Sequence, residues 1–277
     1  MSPISHDKLS ILRQKLSGLK RVLIAFSGGV DSSFLLKVAV DTLGASNVLA
    51  CIGISGSLSS HQLAQAREIA RLVGCRLEEI PVDEMENDAY RANNADRCFH
   101  CKSRLYKLCT EKARQERFEY VLCGANFDDK DDYRPGHHAA EEFGVLSPLM
   151  DAEITKTEIR EYSRQLGLPT ADLPASPCLA SRVAYGMEIT PEKLAQVEKA
   201  EELLRRLGFV EFRVRHHGVI ARIEVRPDDF EKITSESVRR QIVDELKTIG
   251  FSYVALDLQG FRSGSMNEGL STEQKMH

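Results

Sequence analysis

Residues 21–33 read Arg-Val-Leu-Ile-Ala-Phe-Ser-Gly-Gly-Val-Asp-Ser-Ser, and this stretch decides the fold. The first six residues form a short apolar run typical of a buried strand, and a helical pattern starts at Ser32. The two glycines let the backbone approach an anion closely and turn successive N–H groups toward it. The start of the helix adds its positive dipole and its unbonded amides. The stretch therefore predicts a phosphate-binding loop.

Side chains of the loop complete this predicted site. The serines supply hydroxyl donors, and Asp31 suits a magnesium ion that bridges phosphates. The spacing matches neither a Walker loop nor a dinucleotide-binding loop. A glycine-rich turn with an N-capping serine is the alternative without a function. The residues expected to bind the phosphates are Ser27, Gly28, Gly29, Asp31, Ser32 and Ser33.

Apolar strands and helical patterns alternate after the loop. Strands are predicted at 48–55, 76–82 and 119–124, and helices at 61–73 and 101–115. This order is typical of an α/β fold in which helices cover both faces of a parallel sheet. Such sheets bind ligands at the carboxyl ends of their strands, where Ser27 and Gly124 both fall.

The pattern changes after a predicted helix at 155–166, for which Thr155 and Glu158 form a capping box. Three prolines in 167–181 indicate an ordered loop or linker. The sequence then predicts a helix at 191–207 and a hairpin of two strands at 211–217 and 219–225. A second helix at 237–249 and a strand at 253–258 follow. We therefore expect an α/β domain at 1–176 and a small α+β domain at 177–277.

Composition limits the class of protein and its partners. The 277 residues are 42% hydrophobic and 28% charged, which excludes disordered and fibrous classes. No apolar run is long enough to span a membrane, and the start lacks the order of a signal peptide, so we expect a cytoplasmic protein without a membrane partner. The net charge of −4 disfavours a nucleic-acid partner.

Three of the seven cysteines stand apart from the rest. Cys98 and Cys101 form a Cys-x-x-Cys motif expected just before a helix, and Cys178 precedes Leu-Ala-Ser-Arg. Three thiolates could bind an iron–sulfur ([4Fe–4S]) cluster with one open iron, perform persulfide or disulfide chemistry, or bind structural zinc together with His100. The other four cysteines lie in apolar patterns expected in the core: Cys51, Cys75, Cys109 and Cys123.

The Ser-Gly-Gly-x-Asp-Ser signature at 27–32 resembles that of the PP-loop ATP pyrophosphatases. With the Asp-Asp-Tyr-Arg-Pro-Gly loop at 131–136 and the segment 178–182, the chain resembles the LarE-type sulfur transferases of that superfamily. The resemblance continues through segments of the second domain at 208–209, 213–215, 220–224 and 261–264. It implies an adenine nucleotide alpha hydrolase-like first domain and a homo-oligomer.

The resemblance also implies an activity. ATP, with Mg²⁺, would adenylylate a carboxylate of pyridinium-3,5-biscarboxylic acid mononucleotide, releasing pyrophosphate. A thiocarboxylate and AMP would follow, for the nickel-pincer nucleotide of lactate racemase. In better-known members a single cysteine at the Cys178 position is sacrificed as sulfur source. The additional Cys98 and Cys101 resemble a subgroup in which all three bind a [4Fe–4S] cluster that carries an extra sulfide, replenished by sulfide or a sulfur donor.

Arginines in the second domain are candidate substrate ligands. Arg213 and Arg215 are two apart on a predicted strand, so both point to one face, and a guanidinium pair suits phosphate. An exposed strand face with charges paired to glutamates is the alternative. The resemblance favours binding of the mononucleotide phosphate, places Ser181 and Arg182 beside the reacting carboxylate, and gives Glu201 the role of orienting the arginines.

Two other functions fit part of this pattern. A tRNA 2-thiolation enzyme of the PP-loop superfamily can combine the loop with three cysteines, and a non-enzymatic ATP-binding sensor could use a redox dithiol. An amide-forming synthetase would need a supply of ammonia.

Overall fold

The computed structural model describes residues 6–131, 135–262 and 264–269. They divide into two compact units. The first contains 6–84 and 98–176, and the second contains 85–97 and the residues from 177 onward. Within the described ranges, no helix has both the length and the apolar character needed to cross a membrane.

The first unit is built on a four-stranded parallel sheet with the order β3-β2-β1-β4. The strands are β1 (Val22–Ala25), β2 (Val48–Ile54), β3 (Arg76–Pro81) and β4 (Tyr120–Cys123). The chain runs outward from β1 to β3 and then returns to place β4 on the other side of β1. The strand order therefore reverses between β1 and β4, where open parallel sheets bind ligands.

Helices cover both faces of this sheet, which confirms the predicted α/β class. Alternate β1 residues enter different cores: Val22 and Ile24 pack on one face, and Leu23 and Ala25 on the other. The helices of the described chain are α1 (His6–Ser17), α2 (Val30–Leu43), α3 (Ser60–Val73), α4 (Asp88–Arg91), α5 (Arg97–Gln115), α6 (Pro135–Glu142), α7 (Pro148–Asp151), α8 (Lys156–Gln165), α9 (Pro191–Arg206), α10 (Phe230–Thr234) and α11 (Glu236–Ile249).

Most predicted elements differ from the observed ones only at their ends, and the predicted Thr155–Glu158 capping box is present. The prediction for Cys-x-x-Cys was wrong. Helix α5 begins at Arg97 rather than at Cys101, so Cys98 lies within the helix rather than before it. The stretch between these cysteines contains neither glycine nor proline, so nothing in it prevents the helix from starting early.

The second unit is a small α+β unit, as predicted. Its sheet has the order β5-β6-β7, with β5 (Phe212–His217) antiparallel to β6 (Ile220–Val225), and β6 parallel to β7 (Tyr253–Leu256). Its apolar core joins Val214 and Ile223 of the sheet to Leu203 of α9 and Leu246 of α11.

Residues 85–97 belong to this second unit, although they lie inside the first half of the chain. The fully buried Asn93 explains this placement. Its amide Nδ2 donates to the carbonyls of Val183, Ala184 and Met187 at 2.9–3.2 Å. Arg97 donates to Asn93 Oδ1 at 2.7 Å and to the Ala180 carbonyl at 3.0 Å. The segment just before Cys98 is thereby attached to the loop that follows Cys178.

Candidate functional site

The predicted phosphate loop joins the carboxyl end of β1 to the start of α2. The hydroxyls of Ser27 and Ser32 lie 3.0 Å apart, and the Ser27 N–H donates to Ser32 Oγ at 3.3 Å. The Ser33 N–H donates to the Gly29 carbonyl at 3.0 Å, and the Ser33 side chain is fully buried. These contacts connect the loop to the first turn of α2, whose N-terminal amides are the donors that suit an anion.

Two glycines allow the close approaches that this loop requires. Gly28 has a φ of +71°, and a Cβ there would lie 2.9 Å from Cα of Ala66 on α3. A Cβ on Gly124 would lie 2.9 Å from the backbone nitrogen of Ser32. A side chain at Gly124 would therefore collide with the first turn of α2. The structure brings Gly124, at the end of β4, directly against the phosphate loop, on the side where the strand order reverses.

Asp31 lies in the first turn of α2 and pairs with a lysine that sequence reasoning missed. Lys156 Nζ donates to both Asp31 carboxylate oxygens, at 2.6 and 2.7 Å. Lys156 is the first residue of α8, and its N–H donates to Asp128 Oδ2 at 2.8 Å. The only signal for this region was the cap at Thr155. The pair places an ammonium beside the carboxylate expected to bind magnesium.

The acidic segment after β4 uses its side chains to shape its own backbone. Asp129 Oδ2 accepts from the Asn126 N–H, and Asn126 Oδ1 accepts from the Asp128 N–H, both at 3.0 Å. The Phe127 N–H donates to the Ile154 carbonyl at 3.0 Å. These bonds fix the approach to α8 and therefore to Lys156. The Asp-Tyr-Arg part of the predicted loop, 132–134, lies outside the described residues.

Cys98 and Cys101 are three residues apart in the first turn of α5, so they share one face of the helix. Cys101 Sγ lies 3.4 Å from Oε2 of the buried Glu84, whose other oxygen accepts from Ser55 Oγ at 2.7 Å. Tyr106 and nearby cysteine thiols, Cys101 and Cys98 among them, raise the pKa of the Lys102 ammonium. The Lys102 ammonium therefore lies near the cysteine pair.

The four cysteines expected in the core are buried there, as predicted: Cys51, Cys75, Cys109 and Cys123. Burial raises the pKa of the Cys51 thiol, and raises that of Cys109 to about 12, so both stay protonated at neutral pH. All seven cysteines are thiols. In the part of the chain that the structure describes, no three His, Cys, Asp or Glu side chains are grouped to hold a metal ion. Three grouped side chains of this kind would all bind a single metal ion, whereas each cysteine ligand of an iron–sulfur cluster binds a different iron atom.

In the second unit, Ser181 and Arg182 bind the backbone of Cys178. The Cys178 carbonyl accepts from Ser181 Oγ at 2.7 Å and from Arg182 Nη1 at 3.0 Å. Arg182 also donates from Nε and Nη2 to the two Glu201 oxygens, at 2.9 and 3.1 Å. Glu201 therefore orients Arg182, as expected. The Arg182 side chain is 3% exposed and that of Glu201 8%.

Arg213 and Arg215 lie on β5 and are buried, so the alternative of an exposed strand face was wrong. Arg215 donates to Glu224 Oε2 from Nη2 at 2.8 Å and from Nε at 3.1 Å. Burial, together with the charges of Arg182 and Arg215, lowers the pKa of Arg213 to about 10. The buried Arg182, Arg213 and Arg215 therefore lie near two buried glutamates, Glu201 and Glu224. The excess positive charge suits an anion.

Comparison with known proteins places this geometry in context. Residues 6–235 match the family model described as NAD synthase. An uncharacterised protein of Synechocystis is 44% identical over 96% of this chain and 99% of its own length. The pyridinium-3,5-bisthiocarboxylic acid mononucleotide synthase of Lactiplantibacillus plantarum is 38% identical over 96% of each chain. An NH(3)-dependent NAD(+) synthetase of Chlorobaculum parvum is 23% identical over 81% of this chain and 79% of its own.

Proposed function

Because the chain belongs to the PP-loop family described as NAD synthase, and within it to the LarE-type enzymes, we propose that it is an ATP-dependent sulfur transferase. The proposed substrate is pyridinium-3,5-biscarboxylic acid mononucleotide, whose carboxylates become thiocarboxylates. The relative from L. plantarum is named for the bisthiocarboxylic product of this reaction. We propose that the product serves nickel-pincer nucleotide synthesis.

The observation that carries this proposal is the position of Arg182. Its guanidinium binds the Cys178 carbonyl with one nitrogen and the Glu201 carboxylate with the other two. The segment that bears the reactive thiol is therefore built onto an arginine cluster with excess positive charge. A substrate that carries a phosphate and carboxylates fits such a cluster, since guanidinium groups bind both anions.

We propose that ATP binds with its pyrophosphate on the loop at 27–33. A substrate carboxylate attacks the α-phosphorus, the bond to the bridging oxygen breaks, and pyrophosphate leaves. Ser27, Ser32 and the first amides of α2 stabilise the charge that develops, and Asp31 binds Mg²⁺. If Asp31 held Mg²⁺, the Lys156 ammonium that now pairs with Asp31 would be available to neutralise the phosphates. The protein contributes chiefly positioning and charge stabilisation.

The sulfur step uses the three cysteines. We propose that Cys98, Cys101 and Cys178 hold a [4Fe–4S] cluster, which when bound supplies an open iron site for the sulfide to be transferred. Two of these thiols share one helix face beside the Lys102 ammonium, which suits a thiolate-bound group. Ser181 and Arg182 position the Cys178 backbone beside the acyl-adenylate while the sulfur nucleophile displaces AMP. The products are a thiocarboxylate and AMP.

The test uses anaerobically purified protein with the mononucleotide dicarboxylate, ATP, Mg²⁺ and sulfide. We expect AMP and pyrophosphate release, and mass spectrometry should show oxygen replaced by sulfur in the substrate. Cys178→Ala should lose thiolation and the visible iron–sulfur absorbance while it still binds ATP. Cys75→Ala, in the core of the first unit, is the matched control and should keep both. Thiolation by Cys178→Ala would refute the assignment.

Two further arms separate this function from its neighbours. Ammonia in place of sulfide, with nicotinic acid adenine dinucleotide as the acid, tests the amide formation for which several relatives are named. Transfer RNA in place of the mononucleotide tests RNA thiolation. A product in either arm, with none from the mononucleotide, would replace the proposed function.

A further inference from the structure

One face of the small sheet in the second unit is charged, while the other faces the apolar core. Arg213 lies opposite Glu224, and Arg215 lies opposite Arg222, in the antiparallel register of β5 and β6. Directly opposed residues point to the same face, so these four side chains form one layer. The intervening residues, Val214 and its neighbours on β6, point to the helices. A charged layer next to an apolar core needs a cover or a ligand.

The cover comes from the chain after β7, residues 261–262 and 264–269, which we call the strap. The Phe261 ring lies 4.9 Å from the Arg213 guanidinium. Ser265 Oγ accepts from Arg215 Nη2 at 2.9 Å and donates to Glu224 Oε1 at 2.8 Å. The Ser265 hydroxyl therefore bridges Arg215 and Glu224, which also bond each other directly.

The strap is joined to the sheet by a backbone hydrogen bond at one end and by side-chain contacts elsewhere. The Phe261 N–H donates to the Val225 carbonyl at 2.8 Å, which continues the sheet. Beyond this point, Gly264 has a φ of +77° with open space where a Cβ would lie. Arg262 and Glu268 form a bidentate pair that is 30% and 59% exposed, and exposed pairs contribute little. The strap can therefore move without breaking the sheet.

The layer beneath the strap matches a phosphate in charge. Arg213 and Arg215 are 7% and 5% exposed, so solvent screens them poorly. Burial of positive charge is unfavourable, and an incoming anion relieves that cost. A phosphate monoester carries about −1.5 to −2 charges at pH 7 and three acceptor oxygens. One phosphate oxygen that keeps its proton would accept from Arg215 Nη2 and donate to Glu224 Oε1, as the Ser265 hydroxyl now does.

We propose that the strap is a lid over the phosphate subsite, and that the Ser265 hydroxyl occupies the place of a phosphate oxygen until the mononucleotide binds. This inference rests on the proposed function, because it assigns the Arg213–Arg215 layer to the phosphate of that substrate. Ser265 acts by competing for Arg215, so it sets the affinity for the phosphate rather than taking part in the chemistry.

The experiment compares Ser265→Ala with wild type, using nicotinic acid mononucleotide and inorganic phosphate as probes in calorimetric titration. Loss of the competing hydroxyl should tighten binding of the mononucleotide about 10-fold. The reason is that the apparent affinity equals the affinity of the open form multiplied by the fraction of molecules in which the lid is open. Hydrogen exchange of the peptide that contains 261–269 should be faster in Ser265→Ala, and faster in wild type when the probe is bound. Ser237→Ala, an exposed serine of α11, is the control and should match wild type.

Phe261→Leu provides a second variant that leaves the contacts of Ser265 in place. It should also speed exchange of the strap and tighten binding several-fold. Weaker or unchanged binding in Ser265→Ala would overturn the lid, as would exchange that does not respond to the probe. Failure of the proposed function gives a different result. The variants would then bind the probes more tightly and exchange faster, but the wild-type protein would form no thiocarboxylate in the thiolation assay.

Discussion

Replacing Glu201 by glutamine removes the negative charge that holds Arg182 against Cys178. Glu201 accepts three hydrogen bonds: two from Arg182, at 2.9 and 3.1 Å, and one from the Val214 N–H at 3.2 Å. Both charged side chains are nearly buried, so water does not replace the lost contacts. In Glu201→Gln the amide NH₂ faces a guanidinium donor, and the cluster gains one more uncompensated positive charge.

The expected loss of stability is large. Breaking a buried ion pair by removing one partner costs about 3–5 kcal/mol. Glutamine keeps one acceptor oxygen, so we expect the low end, about 3 kcal/mol, which is more than a 100-fold change in the unfolding equilibrium. With a denaturant slope of about 2 kcal/mol/M, the urea midpoint falls by about 1.5 M.

Urea unfolding followed by circular dichroism measures this loss, and hydrogen exchange of the Val214 amide locates it in β5. The matched control is Glu202→Gln, one residue along α9, because Glu202 pairs with Arg205 on the exposed side of the helix. We expect the control to change stability by no more than about 0.5 kcal/mol. A loss below about 1 kcal/mol in Glu201→Gln, or equal losses in both variants, would refute the argument.

The remaining predictions concern the phosphate loop and pH. Gly28→Ala should weaken ATP binding about 10-fold in calorimetric titration, because its φ of +71° and the closeness of α3 leave no room for a methyl group; wild-type affinity would contradict this. Lys156→Met should lower the rate of AMP formation about 100-fold, whereas Lys37→Met, in an exposed pair on α2, should not. Burial lowers the pKa of His216, so the folded state favours the neutral imidazole. The contribution of His216 to folding stability is therefore complete above about pH 6.5, the pKa of histidine in the unfolded chain, and is lost as the pH falls. The urea midpoint should fall as the pH drops from 7 to 5, and His216→Gln should reduce this slope; an unchanged slope would count against the assignment.

Much of the fold follows from short stretches of sequence. Alternation of apolar runs with helical periodicity predicted the parallel sheet, and the glycines after β1 predicted a loop at its carboxyl end. Both predictions depend on patterns of residue type within short stretches of the chain, which a single sequence shows directly. The same reasoning misplaced the start of α5, because it did not use Asp96, directly before the helix, as the signal of a helix start.

The candidate site was harder to predict, because its contacts join distant parts of the chain. Asp31 and Lys156 are 125 residues apart, and the lysine gave no signal in the sequence. Similarly, nothing near Asn93 indicates that its amide binds the turn after Val183, 90 residues later.

The sequence by itself determined the α/β class, the position of the glycine-rich loop after β1 and which three cysteines lie outside the buried core. Only the tertiary structure decided that Arg213 and Arg215 are buried, that Glu201 orients Arg182, and that Ser265 covers Arg215. The physical reason is that strand periodicity sets which residues share a face, whereas the burial of that face depends on the segments that fold over it. For β5 that segment is the strap, which follows it by about fifty residues.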